Sequence, residues 1–199
     1  MCSRASPSWG GCCGAVASVG AASSRRTGGG VRGDSRRWAW LAVAAALGLD
    51  GWLKWWSLGA LGEGQFQPLI PGLVSLTLLF NPGAAWGLLS GQTELLVAVR
   101  LGVGLGLLGY LLYRPLPPVR AAALALVAAG GLGNGLDKLL DGTVVDMLYS
   151  PLLSAATQAL YRQDYPVFNL ADVWVVLGVA VLLLGSVGKQ SSKENPARP

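Results

Sequence analysis

Four long apolar segments, separated by stretches rich in turn residues, constrain the fold of this chain more than any other feature. They run from about Trp38 to Trp56, Leu95 to Tyr113, Arg120 to Leu140 and Phe168 to Gly188. Each approaches the roughly 20 residues that cross about 30 Å of hydrocarbon as a helix. Charged residues are only 13% of the 199, against 52% hydrophobic, too little charge for an ordinary soluble surface. The expectation is an all-α membrane protein with four transmembrane helices. Trp38, Trp40, Trp52, Trp55 and Trp56 gather toward the ends of the first segment, as interfacial anchors do.

Orientation follows from the basic residues. Residues 1–37 hold six arginines, the loop "YRPLPPVR" holds Arg114 and Arg120, and the carboxyl tail holds Lys189, Lys193 and Arg198. If the helices alternate, these share one side. The opposite side, residues 57–94 and 141–167, has only Arg162. Both termini are therefore expected in the cytoplasm. The net charge of +5 forms no basic stripe interleaved with aromatics, so a nucleic-acid partner is not expected. The chain has no histidine, which excludes Ser-His and Cys-His catalysis and His-ligated metal. Cys2, Cys12 and Cys13 all precede the apolar segments and support neither a disulfide framework nor a zinc site. No metal or other cofactor is expected.

Residues 1–37 are rich in Gly and Ser and lack apolar periodicity, the composition of a disordered basic tail. No apolar h-region follows the arginines, so this is not a secretory signal. Either the tail belongs to the protein or translation begins at an alternative start, Val31. The expected organisation is this tail, a membrane domain over 38–188, and a cytoplasmic tail over 189–199.

In "PGLVSLTLLFNPGAAWG", Val74, Leu76, Leu78 and Phe80 alternate with Leu73, Ser75, Thr77 and Leu79. That period of two predicts a strand ended by the "NPG" turn. "DGTVVDMLY" supplies a second short extended piece. Together they predict a small β-sheet on the outer face. Thr93 followed by Glu94 is expected to cap the second helix.

Polar residues converge at the outward helix ends. Asp50 and Lys54 share a face at i, i+4, as do Asn134, Asp137 and Lys138 at i, i+3 and i+4. Asn169 and Asp172 open the last helix, and Asp146 lies in the outer segment after the third. Ordinary structural roles compete for most of them. Asp50 with Lys54 makes a structural pair, Asp137 with Lys138 a helix cap, Asn169 an N-cap, and Arg100 a structural or snorkelling residue. Asp172 is harder to explain, because an ionised carboxylate in a membrane helix costs about 2.5–3.5 kcal/mol at the centre. Two carboxylates in a semi-dry site cannot both ionise easily, so one holds a proton while the other acts as base. Such a dyad can activate water against an amide and protonate the departing amine. Spacing alone leaves open which aspartates pair. A transport relay would spread its acids through the membrane depth, and a scaffold would make them dispensable. A Ser57–Lys54 protease pair lacks an oxyanion-hole motif.

In order, "DGWLK", "NPGAAWG", "GGLGNGLDK" with "GTVVDM", and "FNLAD" resemble the blocks of the lipoprotein signal peptidases, or signal peptidase II. These are four-helix intramembrane aspartyl proteases of bacteria, and the likeness covers about residues 40–188. The resemblance implies a catalytic dyad of Asp146 and Asp172, with Asn134 and Asn169 hydrogen-bonding around it and the scissile peptide. It implies that Asp50, Lys54, Asn81, Gly83, Asp137 and Lys138 shape the site or substrate pocket. The implied reaction removes the signal peptide from prolipoproteins just before their diacylglyceryl-modified cysteine. The implied setting is the bacterial plasma (inner) membrane, as a monomer among lipid, with the site near the outer leaflet and open to inhibition by globomycin. Three positions depart from the pattern: Lys138 replaces an arginine, Leu53 a hydroxyl residue, and Trp86 a phenylalanine. Lysine keeps the charge but loses the planar fork of arginine.

Overall fold

The computed structural model describes residues 30–82 and 92–191. In chain order these form α1 (Gly30–Ala60), β1 (Gln67–Ile70), β2 (Val74–Asn81), α2 (Thr93–Tyr113), α3 (Pro118–Asp141), β3 (Val144–Tyr149), α4 (Pro151–Tyr161) and α5 (Leu170–Ser191). The four apolar segments are all helical, as α1, α2, α3 and α5. The α1 helix starts at Gly30, earlier than the tail-like composition of residues 1–37 suggests. The cause is a buried stripe: Ser35, Ala39, Val43, Ala46, Asp50, Lys54 and Ser57 recur every three or four residues, one helical face turned inward. At the other end, α5 continues to Ser191, past the expected boundary at 188. Residues 1–29 and 192–199 lie outside the described residues, as do Gly83 and Trp86.

The central helix is α3, which packs against α1, α2 and α5. Its buried residues are mostly small: Ala121, Ala123, Ala125, Ala128, Ala129, Gly130, Gly133 and Gly135. Small residues let helix backbones approach closely where no apolar driving force separates protein from lipid. A Cβ on Gly130 would lie 2.3 Å from the Ala171 carbonyl oxygen, and one on Gly178 would lie 2.5 Å from that of Ala123. The α3 and α5 backbones therefore touch at two levels, each helix contributing one glycine. Glu94–Tyr113 and Pro118–Asp141 are long and apolar enough to cross a membrane, and Leu170–Ser186 is a shorter apolar helix. The first segment, by contrast, carries Asp50 and Lys54 in its interior.

At one end of the bundle lies a three-stranded antiparallel sheet in the order β1-β2-β3. Leu61, Leu78, Val145 and Met147 form its core, with Leu53 and Trp56 of α1 packed against them. The sheet was expected from β2 and β3; β1 adds an edge. The period-two pattern of β2 does not hold throughout, because the register with β3 shifts. Leu76 pairs with Leu148, but Leu79 pairs with Asp146 and Asn81 with Val144, so β2 has one extra residue between Leu76 and Leu79. A bulge of this kind exchanges the faces of everything beyond it. Leu79 and Asn81, rather than Leu78 and Phe80, thereby share a face with Asp146.

Two further features depart from expectation. The helix α2 begins at Thr93, so Gln92 occupies the cap position, without a side-chain capping bond. The segment after β3 forms the helix α4, whose N-cap Ser150 accepts a hydrogen bond from the Leu153 N–H and whose first residue is Pro151. Ser followed by Pro is a start signal that the sequence carries. At 11 residues, α4 is too short to span a membrane.

Candidate active site

Two backbone devices bring the polar residues together. The first is an antiparallel bridge between Leu148 of β3 and Phe168, with N–H···O distances of 2.8 and 2.9 Å in the two directions. Because of it α5 begins at Leu170 rather than Phe168, and Asn169 is pinned beside β3. The second is a reciprocal cap. Asn169 Oδ1 accepts from the Asp172 N–H at 3.0 Å, while Asp172 Oδ2 accepts from the Asn169 N–H at 3.2 Å. This is a capping box built from Asn and Asp, so the structural role foreseen for Asn169 holds. Asp172 takes part in the same cap.

The asparagines then link the two carboxylates. Asn169 Nδ2 donates to Asp146 Oδ1 and to Asn134 Oδ1, both at 2.8 Å, and Asn134 Nδ2 donates to Asp172 Oδ1 at 2.8 Å. Asn81 Nδ2, delivered by the bulge, donates to Asp146 Oδ2 at 2.9 Å. Both oxygens of each carboxylate accept hydrogen bonds. Asn134 and Asn169 are themselves buried, so the network holds one geometry.

Behind it stands a charged centre around Lys54. Its ammonium lies 2.6 Å from Asp50 Oδ2 and 2.7 Å from Asp137 Oδ2, and donates to Asn134 Oδ1 at 3.1 Å. The other Asp50 oxygen accepts from the Ala171 N–H at 2.8 Å, occupying a donor at the open start of α5. Lys54 thus ties α1 to α3, and Asp50 ties α1 to α5. Ser57 donates its hydroxyl to the Lys54 carbonyl at 2.7 Å, and the Lys54 ammonium is fully engaged, so the Ser-Lys arrangement is excluded. Lys138 donates to the carbonyls of Pro82 and Gly142. It closes the end of α3 and holds the end of β2. Asp137 and Lys138 therefore face different partners instead of capping together.

Asp146 and Asp172 line one cavity of about 430 Å³ between α2, α3 and α5. Asn81 and Asn134 line it too, together with the Tyr165–Phe168 segment, and Val103, Val127, Val175 and Val176 make much of its wall apolar. Asp146, 3% exposed, has its pKa lifted from 3.8 to about 7. Burial is the main cause and the Asp172 charge adds to it, against the hydrogen bonds from Asn81 and Asn169. Among the described residues, no group of three metal-ligating side chains converges. Arg100 also lines the cavity, a position that the structural or snorkelling reading did not foresee.

Comparison with known proteins identifies a family. The profile of the family described as Signal peptidase (SPase) II matches residues 42–187. The chain belongs to the signal peptidase II family. Among similar proteins, the "Lipoprotein signal peptidase" of Deinococcus radiodurans is 42% identical over 153 residues, 76% of this chain and 80% of that protein. That of Gloeobacter violaceus is 37% identical over 163 residues, 81% of this chain and 88% of that one. A solved structure described as a bacterial membrane enzyme, obtained by the in meso method, superposes with a TM-score of 0.68 at 25% identity. The superposition covers 81% of this chain and 94% of the other. As a signal peptidase II, the chain is an aspartic peptidase and a membrane protease. Among the described residues, the buried ionisable groups Asp50, Lys54, Lys138 and Asp146 cluster at the sheet end, which fits a peptidase better than a transport relay.

Proposed function

We propose that the chain is a four-helix intramembrane endopeptidase that cuts prolipoproteins just before the diacylglyceryl-modified cysteine, with Asp146 and Asp172 as its dyad. The observation that carries this reading is the pair of aspartates on one cavity wall, linked through Asn134 and Asn169. The peptidase domain centres on residues 38–188, with α1 and α5 running past these bounds, to Gly30 and Ser191, into the flanking tails 1–37 and 189–199. Its four spans are α1, α2, α3 and α5, with both termini in the cytoplasm and the sheet and α4 outside. The basic residues of the tails and the Arg114–Arg120 loop support this topology. The enzyme acts as a monomer in the plasma membrane, its site near the outer leaflet.

In the proposed mechanism Asp146 carries the proton that the dyad holds. Asp172 is the carboxylate that takes a proton from water as the water oxygen bonds to the scissile carbonyl carbon. Asp146 gives its proton to the carbonyl oxygen, leaving a neutral gem-diol. Asp172 then gives its proton to the nitrogen while Asp146 takes one back from a gem-diol hydroxyl. The C–N bond thereby breaks to a carboxylic acid and a free amine, and the dyad is restored. Asn134 and Asn169 hold the two carboxylates in register, and Lys54 with Asp50 and Asp137 keeps Asn134 and the α5 terminus in place. The apolar walls limit water to what the reaction needs.

The reading is tested by incubating the protein in membranes with a diacylglyceryl-modified prolipoprotein, with and without globomycin. Release of a signal peptide ending just before the modified cysteine, blocked by globomycin, is expected. Equal cleavage of the unlipidated precursor, or none of the lipidated one, overturns it.

A further inference from the structure

Among the described residues, the cavity is lined by one cation that the dyad and its supporting network leave unused. Arg100 lies seven residues into α2, an otherwise apolar helix whose only other charged residue is Glu94 at its start. Its level is set by its neighbours on α3. A Cβ on Gly131 would lie 3.2 Å from the Arg100 carbonyl oxygen, and one on Gly135 would lie 3.4 Å from the Arg100 Cβ. Arg100 is thus level with Asn134, at the depth of the dyad. Its side chain lines the cavity with Asp146 and Asp172, and it interacts electrostatically with Asp172. It makes neither of the two salt bridges found among the described residues, both of which belong to Lys54, and none of their side-chain hydrogen bonds.

A guanidinium carries five N–H donors, and a half-buried one among Val99, Val103, Val127 and Val176 has little water to satisfy them. Among the described residues no side-chain acceptor is bonded to it, and a substrate that enters the cavity can supply one. A full anion would meet the two aspartates already there, whereas a neutral carbonyl oxygen accepts from the guanidinium without that repulsion. We propose that Arg100 is a substrate-positioning residue whose guanidinium hydrogen-bonds a carbonyl oxygen of the bound substrate beside the dyad. The inference rests on the peptidase reading above. Two parts of a lipidated substrate present such an oxygen at this depth: the peptide backbone next to the scissile bond, and the glyceryl esters on the cysteine. The chemistry is the same, and experiment separates the sources.

The test compares the parent protein with Arg100→Gln and Arg100→Lys in lipid. Each is given a prolipoprotein peptide carrying either diacylglyceryl or the ether-linked dialkylglyceryl group. Loss of a hydrogen bond made equally in ground and transition states raises KM and leaves kcat largely unchanged. Arg100→Gln is expected to raise KM about tenfold or more, the scale of a lost charge-assisted bond, and Arg100→Lys to recover only part of this. If the oxygen is an ester carbonyl, the penalty disappears with the ether substrate, which the parent also binds more weakly. If it is a peptide carbonyl, the penalty is the same with both. A KM for Arg100→Gln within about twofold of the parent on both substrates overturns the proposal. So does full recovery by lysine together with a changed pH profile, which would mark Arg100 as a charge acting only through Asp172. Thermal unfolding of each variant identifies a loss that is merely structural, since that would lower the active fraction without moving KM. Failure of the parent to cleave either substrate would instead count against the peptidase reading.

Discussion

Replacing Gly130 with alanine separates stability from catalysis in this fold. The new methyl group would lie 2.3 Å from the Ala171 carbonyl oxygen and 2.6 Å from Val175 Cγ2. Ordinary non-bonded contacts are about 3.5 Å, so α3 and α5 must move apart by about 1 Å. Asn134 lies one turn beyond Gly130 and Asp172 directly follows Ala171, so the displacement falls on the 2.8 Å bond between Asn134 and Asp172. Overpacking of this kind costs about 1–3 kcal/mol, partly offset by the roughly 0.5–1 kcal/mol that alanine gains over glycine inside a helix. The protein should therefore still fold, with a modestly lowered Tm. Catalysis should suffer far more, since a 1 Å misplacement of reacting groups costs about 100-fold. The assay is kcat/KM for a lipidated prolipoprotein peptide, alongside thermal unfolding in detergent. Gly109→Ala serves as the control, because a Cβ there meets nothing within 4 Å. If Gly130→Ala folds and keeps kcat/KM within about threefold of the parent, the close α3–α5 contact does not set the dyad geometry.

Two further outcomes follow from the same network. Lys54→Met leaves the Asp50 and Asp137 carboxylates facing each other without their shared cation, and should cost about 3–5 kcal/mol in unfolding measurements. The raised affinity of Asp146 for its proton predicts activity that falls as pH rises through about 7, read from a pH–rate profile. The same group makes stability fall with pH between about 4 and 7, because there the folded state binds more protons than the unfolded one. The decline amounts to about 4 kcal/mol and is absent in Asp146→Asn, as unfolding at several pH values will report.

Much of this architecture is legible in the residues. Length and apolarity identify α2, α3 and α5, and i, i+4 spacing identifies the Asp50–Lys54 pair that the structure joins at 2.6 Å. Other features depend on contacts between segments distant in sequence. The alternation of β2 predicts a strand, but nothing local predicts that an extra residue at Thr77–Leu78 turns Asn81 toward Asp146. Nor does spacing select Asp146 over Asp137 as the neighbour of Asp172. That choice is made by the bridge from Phe168 to Leu148, between segments 20 residues apart. Motif resemblance reaches the same pair by another route. The short strand β1 has four residues, too few for a period to register. Arg100 reads as a snorkelling cation until α3 is packed beside it and the cavity between α2 and α5 is formed.

The central claim is that Asp146 and Asp172 act as one catalytic pair. It is tested most directly by processing of a lipidated prolipoprotein in membranes containing Asp146→Asn or Asp172→Asn, with folding checked by thermal unfolding. Each substitution keeps side-chain volume and one of the two acceptor oxygens while removing the carboxylate. The account predicts that both variants remain folded and that neither releases the signal peptide. Normal processing by either variant would contradict it.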